Sequence, residues 1–205
     1  MVSTEINQTE ALGTERVGKL LFRLAVPAIA AQLINLLYNI VDRIYIGHIE
    51  GIGKLALTGV GVCLPLIMVI TAFAALISMG GAPRASISLG KGDKKSAEKI
   101  LGNSVTLLVL ISLTLTVLFQ LYAKDLLLAF GASENTIGYA TDYLRIYSLG
   151  TLFVQLTLGL NAFIAAQGFA KISMLTVLIG AVSNIILDPI FIFVLNLGVK
   201  GAAIA

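Results

Sequence analysis

Two carboxylates lie inside stretches that are otherwise apolar enough to be buried in a membrane. One of them, Asp188, is the only ionisable side chain between Ile172 and Leu195, and Pro189 follows it directly. A charge at bilayer depth costs on the order of 3 kcal/mol on insertion scales, so an isolated acid there indicates a functional site. The alternative interpretation is that Asp188 reaches interfacial water.

The second carboxylate, Asp42, ends a line of polar residues on one side of a predicted helix. The line consists of Gln32, Asn35, Tyr38, Asn39 and Asp42. Unpaired amides in hydrocarbon cost several kcal/mol, so this stripe must face a partner helix or a water-filled cavity. Amides alone are typical of a packing face between helices, but the carboxylate of Asp42 favours a cavity.

The composition is that of an integral membrane protein. Of the 205 residues, 58% are hydrophobic and 12% are charged, and the mean hydropathy is +0.96. Soluble domains average about 25% charged residues. The single cysteine, Cys63, excludes an internal disulfide, and the single histidine, His48, excludes a histidine-rich metal site. The net charge of +3 is too small to indicate a nucleic-acid partner.

Five apolar runs are long enough to cross a hydrocarbon core, which needs about 20 helical residues. They are residues 20–46, 55–82, 100–122, 137–166 and 172–195, and a sixth run begins at residue 201 and stops with the chain. None shows the alternation typical of a membrane barrel. The sequence therefore predicts an all-α, polytopic membrane protein.

The distribution of basic residues predicts the orientation. Nine of the 14 Lys and Arg residues lie at one end of the runs, most densely in residues 84–99, and five lie at the other. The positive-inside rule therefore places the N-terminus in the cytoplasm, with the chain in the cell (plasma) membrane. Residues 1–15 are then a cytoplasmic tail. Residues 84–99 are predicted to form a loop with a short amphipathic helix, capped by Asp93.

Helical rise places the two carboxylates at a similar depth. Their runs travel in the same direction, and ~1.5 Å per residue puts Asp42 and Asp188 about 28 Å and about 24 Å from the inner ends. Asn184 stands one turn before Asp188, and Thr176 lies on the same broad face. Low dielectric disfavours charged carboxylates, so two acids with amide oxygens are typical of a proton or hard-cation site.

Two prolines and one further amide occur in the same set of apolar runs. Pro189 removes a backbone hydrogen bond and disfavours α conformation at Asp188, which would free a carbonyl beside the carboxylate. Pro27 is predicted to bend the first run in the same way, near its inner end. Asn161, on the fourth run, lies lower than the acids.

Near the outer end of the fourth run, two charges are predicted to form an interfacial ion pair rather than a site. Asp142 and Arg145 are three residues apart, so they share one face of a helix. Both are close enough to the outer boundary to extend their charged groups toward water.

Taken in order, the polar positions resemble those of the multidrug and toxic compound extrusion (MATE) transporters. The matching stretches are Pro27 with residues 39–47, residues 90–93, Asn161 with residues 167–168, and residues 184–189. They follow the order and spacing of the family across nearly the whole chain. The resemblance implies a twelve-helix antiporter of two six-helix lobes around a central cavity, in which entry of H⁺ or Na⁺ drives export of small organic cations.

Within that scheme the chain is the N-terminal six-helix lobe with its sixth helix truncated. Its implied partners are membrane lipid, organic-cation substrates and the missing C-terminal lobe, and it needs no cofactor besides the coupling ion. The resemblance implies that Asp42, Asn184 and Asp188 bind the proton or a Na⁺ ion. The supporting or cavity-lining residues are then Pro27, Asn35, Tyr38, Asn39, Asn161, Thr176 and Pro189.

Two other functions fit parts of the sequence. A lipid-linked oligosaccharide flippase of the same superfamily is expected to line its cavity with basic groups, whereas no Lys or Arg lies in the middle of any run. An intramembrane aspartyl protease is suggested by the Gly-x-Gly-Asp pattern at residues 90–93. Asp93, however, lies at the opposite membrane face from Asp42, so the two cannot share a proton. The sequence therefore predicts a transporter and no enzyme, and leaves H⁺ and Na⁺ open.

Overall fold

The structure is a computed structural model that describes residues 16–205. Its helices are α1 (Val17–Gly47), α2 (Gly53–Gly90), α3 (Lys94–Ala129), α4 (Ile137–Leu149), α5 (Thr151–Ala166), α6 (Ala170–Pro189) and α7 (Val199–Ile204). A π-helical turn, Ile190–Val194, joins α6 to α7. No strand occurs in the described range. The predicted cytoplasmic tail, residues 1–15, lies outside the described residues.

Five spans can be traced through the described helices. Four of them, α1, α2, α3 and α6 with its π-helical turn, are long and apolar enough to cross a membrane. The fifth is the pair α4 and α5, which is bent by 58°. The predicted all-α, polytopic architecture is therefore confirmed, but the run at residues 137–166 consists of two helices.

The two long helices α2 and α3 extend further than the predicted runs. Only residues 91–93 connect them, so the expected loop with its own amphipathic helix is wrong. Asp93 does cap α3, because its Oδ1 accepts the backbone N–H of Ser96 at 3.0 Å. The hydrogen bonds from Ser96 lower the pKa of Asp93 below its ordinary value. Gly92 has a φ of 77°, in the left-handed region that favours glycine.

The apolar core lies between α2, α3, α4 and α5. Its largest cluster includes Cys63, Phe119 and Leu144, and smaller clusters around Leu108 and Phe163 continue it toward the connection between α2 and α3. Within the described chain, α1 contributes one fully buried residue to these clusters and α6 contributes none. The two helices instead pack chiefly against each other. They form a pair beside the core.

Side chains of α3 hold the bend between α4 and α5. Thr116 Oγ1 donates to the carbonyl of Ser148 at 2.9 Å. Gln120 Nε2 donates to the carbonyl of Arg145 at 2.7 Å and to the hydroxyl of Ser148 at 2.8 Å. A break in a helix leaves backbone carbonyls without their helical donors, which is costly in hydrocarbon. These hydrogen bonds therefore stabilise the bend at Gly150.

Two contacts fix the start of α7. Lys200 Nζ lies 3.4 Å from Asp142 Oδ2, so Asp142 pairs with Lys200 and the predicted pairing with Arg145 is wrong. Both side chains are about half exposed, at 54% and 50%, and such a pair contributes about 1 kcal/mol or less. Behind it, a Cβ at Gly201 would lie 2.6 Å from the carbonyl carbon of Phe191. Only glycine allows this close approach.

Candidate cation-binding site

The pairing of α1 with α6 brings the two intramembrane acids together. Asp42 projects from α1 and Asp188 from α6, and they are close enough for their charges to interact. Asp188 is fully buried and Asp42 is half-buried. Because its side chain is not exposed to solvent, Asp188 has no direct contact with interfacial water in this structure.

The oxygens around these acids are short of hydrogen-bond donors. Asn184 Nδ2 donates to Asp188 Oδ1 at 3.3 Å. Three other buried oxygens, Asp42 Oδ1, Asn184 Oδ1 and Asp188 Oδ2, have no hydrogen-bond partner among residues 16–205. A buried acceptor without a donor costs about 1–3 kcal/mol. Carboxylate and amide oxygens are ligands that suit a proton or a hard cation.

The donor set does not resemble a transition-metal site. In the part of the chain that the structure describes, no group of three or more His, Cys, Asp or Glu side chains is placed to hold a metal ion. Two carboxylates and an amide remain at the site. Their unpaired oxygens fit H⁺ or Na⁺, since either cation would offset the negative charge of the two carboxylates.

A tyrosine on α4 adds a third side to the site. Tyr143 is 7% exposed and interacts electrostatically with both acids. It stacks on Tyr147, with ring centroids 6.0 Å apart, and Tyr147 interacts in turn with Tyr38 of α1. The side chains of Tyr143 and the two acids are therefore close enough for their charges to influence one another, and Tyr147 links Tyr38 to this group. Sequence reasoning missed Tyr143, because a tyrosine in an apolar run carries the same pattern as a core aromatic residue.

The residues of the polar stripe on α1 differ in their burial. Asn35 and Tyr38 are half-buried like Asp42, whereas Gln32 and Asn39 are exposed. The Nδ2 of Asn39 donates to the carbonyl of Asn35 at 2.7 Å, within the same helix. Only the half-buried members share the environment of the acids.

Asn161 and Thr176 form a separate polar contact at a lower level. Asn161 Nδ2 donates to the carbonyl of Ser173 at 3.4 Å, and Thr176 Oγ1 donates to Asn161 Oδ1 at 3.3 Å. Thr176 precedes Asp188 by three helical turns, about 18 Å at ~1.5 Å per residue. This contact links α5 to α6 and does not involve the two acids.

Neither proline breaks its helix. Pro27 is buried and α1 continues through it. The predicted loss of α conformation at Asp188 is wrong, because α6 stays helical as far as Pro189. Packing of α6 along α1 outweighs the local preference of a residue that precedes proline. The backbone leaves the α-helical conformation only after Pro189, in the π-helical turn. There the N–H of Leu195 donates to the carbonyl of Ile190 at 2.9 Å.

Comparison with known proteins gives consistent matches over most of the chain. The MatE family model matches residues 27–190. The multidrug export protein MepA of Staphylococcus haemolyticus (strain JCSC1435) is 31% identical over 188 residues, which are 92% of this chain and 41% of that protein. The chain thus spans less than half the length of this relative.

Solved structures match over the same part of the chain. A crystal structure of MATE in complex with MaD3S superposes with a TM-score of 0.83 and 30% identity, covering 91% of this chain and 41% of that one. An outward-facing multidrug resistance MATE family transporter of the MOP superfamily gives 0.83 and 29%, covering 90% and 40%. The range of the family model includes both Asp42 and Asp188. The chain belongs to the MatE family of membrane transporters, and it forms the N-terminal lobe of their fold.

Proposed function

We propose that the intact transporter to which this lobe belongs exports small organic cations in exchange for H⁺ or Na⁺. The observation that carries the proposal is the set of three buried, unpaired oxygens of Asp42, Asn184 and Asp188. Such a set demands positive charge, and it lies between two spans of a polytopic lobe. The name of the Staphylococcus haemolyticus relative, a multidrug export protein, supports the direction of transport.

Coupling follows from the charge of the site. The two carboxylates repel each other when no cation is bound, and a proton or Na⁺ removes that repulsion and satisfies the oxygens. An organic cation is attracted by the same negative charge. Because the two kinds of cation compete for one charge, entry of the coupling ion favours release of the drug, which is antiport.

The orientation and the partners are inferred with the same function. The start of α1, the end of α2 and the start of α3 carry most of the basic residues, so we place these ends and the N-terminus in the cytoplasm. Exposed apolar side chains cover α1 and α6, for example Leu33 at 55% and Ile179 at 66%. We infer that membrane lipid and a C-terminal lobe cover them in the plasma membrane.

The test is Asp188→Asn in the full-length transporter. With pH and Na⁺ gradients imposed separately on vesicles, wild type should export ethidium under one gradient, which identifies the coupling ion. The variant should insert normally and export at background level, while Asp142→Asn, the same change at an exposed ion pair, should export normally. Unchanged efflux in Asp188→Asn would contradict the proposal. A wild-type transporter that exports no organic cation under either gradient would favour the flippase.

A further inference from the structure

A cavity, called the inner cleft below, lies between the end of α2, the start of α3 and the end of α5, far from the acids. Its volume is about 170 Å³, and its walls are mainly apolar, with Ala85, Ala97, Leu101 and Phe163 among them. Two uncharged polar side chains in the walls are already engaged, because Ser86 Oγ and Gln167 Nε2 both donate to backbone carbonyls of α5. The interior of this inner cleft therefore suits an apolar guest.

The inner cleft lies at a level that bilayer hydrocarbon reaches. On α2, Met79 is 78% exposed and Ile87 is 58% exposed, within two turns of the lining residues. Leu101 both lines the inner cleft and is itself 36% exposed. Apolar side chains of a membrane span that no other helix covers face lipid tails, so the apolar ligand most available to the inner cleft is an acyl chain.

One lysine lines the inner cleft, and three more lie near it in the sequence. Lys94 lines it, and Lys91, Lys95 and Lys99 lie within five residues of Lys94. Residues 84–99 contain five basic and two acidic side chains, a net charge of +3. Glu98 also lines the inner cleft, so the excess of positive charge comes from the lysines beside it in the sequence. Basic segments at the membrane boundary attract anionic lipid.

We propose that the inner cleft binds one acyl chain of an anionic phospholipid, with its headgroup held by Lys94 and the neighbouring lysines. The apolar walls contact the acyl chain, and the lysines favour a lipid with a negatively charged headgroup. A zwitterionic phospholipid fits the same walls but gains nothing from the lysines. The site is independent of cation binding at Asp42 and Asp188.

The test uses the absence of tryptophan from the sequence. Leu101→Trp introduces a single tryptophan at the inner cleft, and Leu118→Trp, at a 41% exposed position further along α3, serves as its control. The full chain is reconstituted in vesicles of about equal parts phosphatidylglycerol and phosphatidylcholine, with one lipid at a time brominated on its acyl chains. We expect brominated phosphatidylglycerol to quench the tryptophan at position 101 about fivefold more effectively than brominated phosphatidylcholine does. The tryptophan at position 118 should be quenched equally by the two lipids.

Lys94→Gln separates the headgroup contact from general lipid exposure. On the Leu101→Trp background it should reduce the preference about fivefold, whereas Lys124→Gln, at the other end of α3, should not change it. Circular dichroism checks that every variant keeps its helix content. Equal quenching by the two lipids at position 101 would overturn the proposal, and so would a preference that survives the combined replacement of Lys94 and Lys95 by glutamine.

Discussion

Replacement of Asp188 by asparagine tests the cation site through stability alone, without any transport assay. In the wild-type chain the charges of Asp42 and Asp188 repel each other, and Asp188 Oδ2 has no donor among the described residues. The change Asp188→Asn removes one charge and adds N–H donors, while the side chain keeps nearly the same shape. We expect the variant to be more stable than wild type when no coupling cation is bound, and to respond to no coupling cation.

The size of the effect follows from the three unpaired oxygens. At about 1–3 kcal/mol each, they leave about 3–9 kcal/mol that a bound cation can recover. The stabilisation that is observed depends on the concentration of the cation, and is about 2.7 kcal/mol when that concentration is 100 times Kd. For a domain of this size, 1 kcal/mol corresponds to about 2–4 °C in Tm, so wild type should gain about 5–11 °C. A new donor in Asp188→Asn should raise its starting Tm by about 2–12 °C.

Thermal unfolding of the full chain in detergent, followed by circular dichroism, measures both effects. Sodium chloride is compared with choline chloride at constant ionic strength, and neutral with mildly acidic buffer. The matched control is Asp142→Asn, which makes the same chemical change in the exposed pair with Lys200. It should cost about 1 kcal/mol or less and keep the cation response. A cation response that survives Asp188→Asn, or a variant less stable than wild type, refutes the reasoning.

Three further predictions concern the frame around the site. Gln120→Leu removes both hydrogen bonds from this side chain to α4 and should lower the unfolding free energy by about 1–2 kcal/mol in a denaturant titration; an unchanged midpoint would show that the bend does not depend on them. Gly201→Ala places a Cβ 2.6 Å from the backbone of Phe191 and should cost about 1–3 kcal/mol. Gly61→Ala, with no atom within 4 Å of its Cβ, should gain about 0.5–1 kcal/mol, and equal effects of the two changes would count against the packing described. Because hydrogen bonds lower the pKa of Asp93, its cap stabilises the chain at neutral pH and loses that contribution as the pH falls through the lowered pKa. Asp93→Asn should therefore flatten the acid side of the stability profile, and an acid side identical to that of wild type would be the contrary result.

Much of the fold could be predicted because hydrocarbon thickness fixes the length of a span. The apolar runs located the spans, and the cap at Asp93 followed from its position before a helix. The constant rise of a helix explains why residue counting placed Asp42 and Asp188 at one level, and the structure brings them together.

The features that were missed depend on residues distant in sequence. Residues 137–166 are apolar throughout, so periodicity did not reveal the break at Gly150, which Thr116 and Gln120 of another helix stabilise. Likewise the partner of Asp142 is Lys200, more than fifty residues away, although Arg145 is the nearer base in sequence. Such pairings are set by how helices pack, which no local pattern encodes.

Among the four continuous spans of the described chain, the two that carry the acids have the smallest share of buried residues. In the most apolar stretch of each span, 6% of residues are buried in α1 and 17% in α6, against 28% in both α2 and α3. The other spans are locked together, since side chains of α3 cross to the bend between α4 and α5. Under the function we propose, a cation bound by the two acids would therefore act first on α1 and α6. Under the function we propose, movement coupled to cation binding would occur in this pair of helices and would leave the packing of α2, α3, α4 and α5 unchanged.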